Sequence, residues 1–417
     1  MKPDVLVIGG GAAGIFAAWN AARHGAKVLL IEKTDRLGTK ILISGGGKCN
    51  VAHDGSMESV LKAFRPNEAR FIRPACHLMP NQAIIDFFTE RGLEVYTRPD
   101  GRVFPVWQTA KDVVAILEHA LAEARVQIWH DCPVTRVLAD DGRVTGIETP
   151  RGVIECRHIV LSVGGSSYPK TGSTGDGWPW AKELGHSIVK VKAALAPMYL
   201  ELDTEELKAG IALRHVLLKA RLAGKEIARW RADLLFTHKG VSGPSVLGIS
   251  RVVAERFGEG EITLEIDLLA DETFESLSAN LKSWVAVNQR KGITTFLDTI
   301  VPSRLEPDLL AAAGLENVPA QTVGKKGLNR LVEVLKGWKI GTVRTVPLEK
   351  GEVVAGGISL DEVDPKTMRS LKCQGLYPCG EILDVAGPVG GYNLQAAFAT
   401  GFLAGQTAAE DALADRG

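Results

Sequence analysis

Apolar and polar positions change rhythm repeatedly along this chain, and the first change comes at once. Val5, Leu6, Val7 and Ile8 form an unbroken apolar run, three glycines follow, and small or apolar residues continue from Ala12 to Ala18. A second unbroken run, Val28–Ile31, ends on Glu32. Short apolar runs bounded by glycine predict buried strands of a parallel sheet, and the stretch between them predicts the crossover helix.

Helical spacing then dominates 53–127. Asn81–Gly92 carries Ile84, Ile85, Phe87 and Phe88, and Thr109–Ala124 carries Val113, Val114, Ile116, Leu117 and Leu121. Between them, Asp100-Gly101 predicts a turn flanked by short strands within Tyr96–Pro105. Strand signals at Val126–Trp129, Val134–Ala139, Val144–Thr149 and Val153–Cys156 predict a β-meander. His158–Val163 reads as another parallel-type strand, and Trp178–Leu184 as a short helix stopped by Gly185.

From about 190 the texture changes. Met198–Leu202, Leu213–Leu222, Ile227–Phe236 and Ile262–Leu268 read as antiparallel strands, with a helix start at Gly243-Pro244. Residues 273–337 read as helical, punctuated by Pro302, Pro307 and Pro319. After Pro347 the first texture returns: a glycine segment at Gly356, a strand at Leu376–Cys379, and a helix Ala396–Ala412 with Gly401 and Gly405 on one face. The first domain is therefore completed from both ends of the chain. The expected division is 1–190 with 346–417, a β-rich insertion at 191–270 with 338–345, and a helical insertion at 271–337.

Composition narrows the setting. The 417 residues are 45% hydrophobic and 24% charged, ordinary for a globular protein. Lysine plus arginine equals aspartate plus glutamate at 49 each, so no net field recruits nucleic acid or an anionic membrane. No apolar run approaches the length that spans a bilayer. The six cysteines form no CxxC pair, so neither a disulfide framework nor a zinc site is expected, and a reduced, cytoplasmic setting is.

The chemistry is concentrated in the glycine segments. Gly9, Gly11 and Gly14 make G-x-G-x-x-G: one glycine for the tight turn, one for close approach of a pyrophosphate, one for packing helix on sheet. The helix N-terminus presents free N–H groups to the phosphates. Glu32, 18 residues after Gly14, is placed to accept from a ribose hydroxyl. A second loop, Ser44-Gly45-Gly46-Gly47-Lys48-Cys49-Asn50, has to bring its backbone close to something, and the rest of a dinucleotide is the natural partner. Lys40 and Lys48 can neutralise pyrophosphate charge. Cys49 has two readings, a thiol activated by Lys48 or packing beside the cofactor. Gly164 and Gly165 end a parallel strand, where such sheets bind ligands. Gly390 and Gly391 open the last helix and form a second anion or carbonyl site.

With these motifs the chain closely resembles the BaiN/YhiN-like family of FAD-binding flavoproteins, aminoacetone-oxidase-like NAD(P)/FAD-dependent oxidoreductases. The likeness runs through Ile8–Gly14, Ile41–Asn50, Gly101–Pro105, Gly164–Gly177, Phe236–Pro244 and Gly380–Gln395. It implies an α/β fold: a Rossmann-like FAD-binding domain of the glutathione-reductase type with an inserted β-barrel-like plus helical module. Position by position, it implies that Gly9, Gly11, Ala12, Ala13 and Gly14 hold the pyrophosphate and that Glu32, with Lys33 beside it, meets the adenosine ribose. It further implies that Lys40 and Ser44–Asn50 run toward the isoalloxazine and that Val134 meets adenine. Gly380, Glu381 and Asp384 would approach the ribityl chain, and Gly391, Tyr392, Asn393 and Leu394 the pyrimidine edge. Lys48 stands where relatives often carry arginine, and Gly387-Pro388 where an aspartate-glycine pair is more usual.

The resulting expectation is an FAD-dependent oxidoreductase of a small organic substrate, either reducing an enone with NAD(P)H or oxidising a small amine with oxygen. No second complete G-x-G-x-x-G is visible, so NAD(P)H would bind transiently over the flavin. Tyr168, His238 and Tyr392 are the candidate proton donors, each alternatively a hydrogen-bonded structural residue. No metal, nucleic-acid partner or membrane is expected. Two other readings stand beside this one: an NAD-dependent enzyme without flavin, and a flavin-binding protein without small-molecule turnover, linked to RNA modification or scaffolding.

Overall fold

The computed structural model describes residues 2–201 and 209–416; Leu202, the last residue of one expected strand, lies outside them. The chain divides into two compact units, Met1–Lys192 with Glu352–Gly417, and Ala193–Gly351.

The first unit is built on a five-stranded parallel sheet. Its strands are β1 (Val5–Ile8), β2 (Val28–Ile31), β3 (Gln127–Trp129), β4 (Ile159–Leu161) and β5 (Leu376–Pro378), in spatial order β5-β4-β1-β2-β3. β1, β2, β4 and β5 are buried along their whole length, which is why they read as continuous apolar runs rather than alternations. Helix α1 (Ala12–Arg23) follows β1, and the long helix α2 (Tyr392–Ala414) closes the chain against it. Their backbones nearly touch. A Cβ on Gly401 would lie 2.1 Å from the Ala13 carbonyl oxygen, and one on Gly405 2.1 Å from that of Ala17. The first domain is thus completed by a helix from the far end of the chain, its glycine face turned to α1.

Two expectations are corrected here, and one segment gains an element. Val126–Trp129 is not part of the meander: β3 pairs in parallel with β2, Ile128 opposite Leu30, after the helix Ala110–Glu123 has crossed over. The meander itself has three strands, Arg136–Asp140, Arg143–Thr149 and Gly152–Glu155. The glycine segment around Gly356, to which the sequence reading gives no element, lies within a buried strand, Val353–Ile358, paired with Ile188–Ala194. The closing helix begins at Tyr392, four residues earlier than Ala396, because Gly391 in a left-handed conformation turns the chain directly into it.

The second unit contains a closed six-stranded antiparallel barrel, in order Met198–Glu201, Gly240–Ser242, Lys225–Thr237, Ala212–Leu222, Ile262–Asp267 and Trp338–Thr345. Closure leaves no free sheet edge. Helices Phe274–Val287, Glu306–Ala313 and Lys325–Lys336 share one hydrophobic core with it: Leu218, Leu264 and Ile266 of the barrel join the same cluster as Leu281, Leu309 and Leu331.

Candidate functional site

The glycine-rich segments of the first unit gather at the carboxyl edge of its parallel sheet, where open α/β sheets bind ligands. The Gly9 N–H donates to the Ile31 carbonyl at 2.8 Å, which folds the turn back over β2. A Cβ on Gly14 would fall 1.9 Å from the Gly9 carbonyl oxygen, so this glycine lets α1 sit down on the turn. Gly11 differs: nothing lies within 4 Å of where its Cβ would be, and its backbone is extended (φ −84°). No structural contact requires a glycine there. Gly11 caps α1 without a side-chain hydrogen bond, and the first turn has no acidic residue, so the helix N-terminus is open to an anion.

Glu32 holds the turn. One carboxylate oxygen accepts from the Gly10 N–H at 2.7 Å, and the other from the Thr34 N–H and hydroxyl at 2.8 and 2.9 Å. Lys33 is committed to Thr174 and Asp176, both at 2.6 Å. Val134 is half-buried in the segment between β3 and the meander.

Lys40 does not stand free for a pyrophosphate. Its Nζ donates to Ser167 Oγ at 2.5 Å and to Glu381 Oε2 at 2.7 Å. Glu381 Oε1 in turn accepts from the Val354 N–H at 3.0 Å, and Ser167 Oγ lies 3.2 Å from the Glu352 carbonyl. One lysine therefore ties the loop after β4, the turn after β5 and the start of the Val353 strand. Gly165 packs into this junction, and Gly164, at φ 73°, lies beside it, where a Cβ would be 3.7 Å from Ser173 Oγ and 3.9 Å from Glu381 Oε2. Gly380 donates to Thr400 Oγ1 at 3.0 Å, and the Asp384 carboxylate is used by the Gly356 N–H at 2.8 Å. Asp384 therefore anchors a strand.

Ser44–Gly47 forms one turn of 3₁₀ helix in which Gly45, Gly46 and Gly47 all have left-handed φ. Cys49 is fully buried, and burial pushes its thiol up to about 12, with a Ser44 hydrogen bond acting weakly the other way. Lys48 is exposed while the Cys49 side chain is sealed from solvent, an arrangement that favours packing over an activated thiol. Asn50 keeps a buried Oδ1 with no partner.

At the start of α2, Asn393 closes a small ring with Gly387, accepting from its N–H at 2.8 Å and donating to its carbonyl at 3.0 Å. Leu394 is half-buried. Tyr392 stacks on His53, ring centroids 4.3 Å apart at 22°, and its hydroxyl lies 3.0 Å from His53 Nε2. Reading the sequence missed His53. Its only signal was its place three residues after the glycine loop.

Tyr168 ends the loop after β4 in a left-handed conformation, φ 50° and ψ 63°, which a non-glycine residue adopts at some cost. Burial raises its phenol, and the negative charge of Glu352 raises it further. Glu352 is exposed at the start of the Val353–Ile358 strand, yet neighbouring protein partly desolvates its carboxyl. That desolvation raises its carboxyl, opposed by Lys40 and Arg102. His238 belongs to the second unit, exposed at a turn between Lys225–Thr237 and Gly240–Ser242. The first unit brings Tyr168, Glu352, Lys40 and Glu381 into one neighbourhood.

A dinucleotide fits these features. The open face at Gly11, the two uncapped helix N-termini at α1 and α2, and the partnerless buried oxygens Asn50 Oδ1 and Ser166 Oγ lack protein partners. The fold and this edge define an FAD-binding Rossmann-like flavoprotein. The chain belongs to the HI0933-like family, matching its Rossmann domain over residues 3–407. It is 31% identical to a 3-dehydro-bile acid delta(4,6)-reductase of Clostridium scindens, covering 97% of this chain and 98% of that one. It is 28% identical to a ribosomal RNA dihydrouridine synthase of Escherichia coli, covering 97% of each. Among solved structures it is similar in fold to a 3-ketosteroid delta1-dehydrogenase from Sterolibacterium denitrificans, with a TM-score of 0.54 at 15% identity, over 98% of this chain and all of that one. The chain is an FAD-dependent oxidoreductase by family. Among the described residues no helix is long and apolar enough to cross a membrane.

Proposed function

We propose that this protein is an FAD-dependent reductase of a carbon–carbon double bond conjugated to a carbonyl. One observation carries the reading: two full-length relatives with different substrates in their names share that reaction. A delta(4,6)-reductase of a 3-oxo steroid saturates a conjugated alkene. Making dihydrouridine saturates the uracil C5–C6 bond, which is also conjugated to a carbonyl.

Gly9, Gly11, Ala12, Ala13 and Gly14 would hold the pyrophosphate, Glu32 the adenosine ribose, and the α2 N-terminus at Gly391–Leu394 the pyrimidine edge of the flavin. Reduced FAD, when bound, supplies the hydride. The chain adds the proton. The Tyr168 phenol stays protonated at neutral pH and can donate to the carbon α to the carbonyl, while solvent returns a proton to it. One hydride and one proton saturate the bond, and no other co-reactant enters. NADH or NADPH would restore the reduced flavin, binding transiently.

The test is a half-reaction pair. Protein reconstituted with FAD is reduced anaerobically with NADH or NADPH, then mixed with a 3-oxo-4-ene steroid or with ribosomal RNA. Reoxidation of the flavin by one of them, with a saturated product, supports the reading, and which one reacts names the substrate class. A flavin that neither cofactor reduces but a small amine bleaches would overturn it in favour of an oxidase. The second substrate, uridine in RNA, is kept open by the dihydrouridine synthase relative, despite a chain with no net charge.

A further inference from the structure

The N-terminal turn of α2 is shaped by a residue of an otherwise unremarked two-residue strand, Ala52–His53. His53 Nδ1 lies 2.9 Å from the Gly390 carbonyl oxygen. A carbonyl can only accept, so the neutral imidazole carries its proton on Nδ1. Nε2 is then an acceptor, and the Tyr392 hydroxyl, 3.0 Å away, donates to it. The bonds thus run in one direction, from Tyr392 through the imidazole to Gly390, and span the Gly390–Gly391 turn from both sides.

Further features surround this arrangement. Gly390 and Gly391 have φ of 136° and 92°, conformations that need external support to stay unique. A Cβ on Gly391 would meet the Ala52 carbonyl at 2.6 Å, so the turn is packed directly on the short strand. The His53 carbonyl is itself fixed by Asn81 Nδ2 at 2.8 Å, and Gly101 leaves just enough room for the ring, since a Cβ there would fall 2.5 Å from Nε2. The partnerless Asn50 Oδ1 lies beside the same turn, 3.0 Å from where a Gly391 Cβ would be.

We propose that His53 is a positioning residue for the flavin site: in its Nδ1–H tautomer, and with Tyr392, it locks the Gly390–Gly391 turn so that the free N–H groups opening α2 face the electron-accepting end of FAD. The inference rests on the assignment of that end to Gly391–Leu394 and not on the identity of the substrate. It adds a tautomer-specific requirement on a residue outside every glycine motif.

The test begins on apo protein. Nitrogen-15 NMR of the imidazole is expected to show a protonated Nδ1 and a bare Nε2; an Nε2–H tautomer, or averaging between the two, would overturn the lock. FAD affinity and midpoint potential are then compared in wild type, Tyr392→Phe and His53→Gln. Tyr392→Phe keeps the ring stack and loses only the donor, so it reports even where His53→Gln does not fold. Loss of one such hydrogen bond corresponds to a roughly 2- to 10-fold weaker FAD complex. The potential should move negative, because a misaligned helix end stabilises the anionic reduced flavin less. Unchanged affinity and potential in a folded variant refute the proposal. Failure of the wild type to bind FAD at all would instead refute the site assignment, and the apo NMR result would still stand.

Discussion

Lys40 and Glu381 lie 341 positions apart in sequence and meet in a 2.7 Å ion pair, both side chains about four-fifths withdrawn from solvent. The pair locks the two ends of the nucleotide-binding unit together, since Lys40 follows β2 and Glu381 follows β5. A Lys40→Met variant leaves the Glu381 carboxylate largely desolvated with only N–H and hydroxyl partners. Breaking a partly buried pair from one side costs about 1–3 kcal/mol. The expected outcome is that loss in urea denaturation, and FAD affinity lowered about 10-fold or more. Glu381→Gln in the Lys40→Met background should recover part of the stability; no recovery would mean that the two residues act independently.

Gly11 and Gly14 separate cofactor binding from folding. Gly11 has extended backbone and open space, so Gly11→Ala should leave apo stability within about 0.5 kcal/mol of wild type. Its methyl group would occupy the place proposed for the pyrophosphate, so FAD binding should fall by at least 100-fold. Gly14→Ala forces a methyl to within 1.9 Å of the Gly9 carbonyl and should lower apo stability by about 2–4 kcal/mol. Thermal melts of apo protein beside flavin-fluorescence titrations distinguish the two. Equal destabilisation by both substitutions would remove the argument that Gly11 is there for a ligand.

The same glycines show how much of the site could be read from sequence. The turn and Glu32 form a local pattern, a strand, three spaced glycines and an acid, and its spacing is enough to find it. The glycine face of α2 was equally visible, though not its partner α1. Val353–Ile358 was hidden because Gly356 and Gly357 are poor strand formers. The strand carries them because backbone approaches closely: a Cβ on Gly356 would fall 2.6 Å from the Lys190 carbonyl oxygen, and one on Gly357 2.4 Å from that of Ile382. The Asp384 carboxylate also secures the Gly356 N–H. Val126–Trp129 was misplaced because apolar alternation does not say which neighbour a strand will choose. His53 and Glu352 were invisible for a different reason. Each carries meaning only through contacts made across the fold, His53 with a tyrosine 339 residues away. Pair geometry of that kind has no local signature.

Cys49 is expected to be chemically silent. With its thiol pushed up to about 12 by burial, the thiolate is absent at neutral pH. Native protein treated with iodoacetamide at pH 8 should show no modification at Cys49 by peptide mass spectrometry, while urea-unfolded protein should be alkylated fully. Cys49→Ala should retain substrate turnover within about 2-fold and lose about 1–2 kcal/mol of stability from the small cavity. Rapid native labelling, or loss of turnover in a well-folded Cys49→Ala protein, would restore the nucleophile reading.

In the barrel unit, Glu306 is only 7% exposed, and one of its carboxyl oxygens is buried without a partner. Burial raises its carboxyl to about 7, and the protonated group donates to Asp298, whose charge raises it further. A carboxyl raised in the folded state contributes most below its unfolded value near 4.5. That contribution declines between about 4.5 and 7, as the unfolded chain ionises while the folded one stays protonated, and it levels off above 7. The span corresponds to at most about 3 kcal/mol. Glu306→Gln keeps the shape and a donor for Asp298 and removes the titration. Urea denaturation followed through tryptophan fluorescence should therefore give near-equal stabilities at pH 4.5 and a variant more stable than wild type at pH 8. Parallel pH profiles for the two proteins would show that Glu306 carries an ordinary charge in the fold.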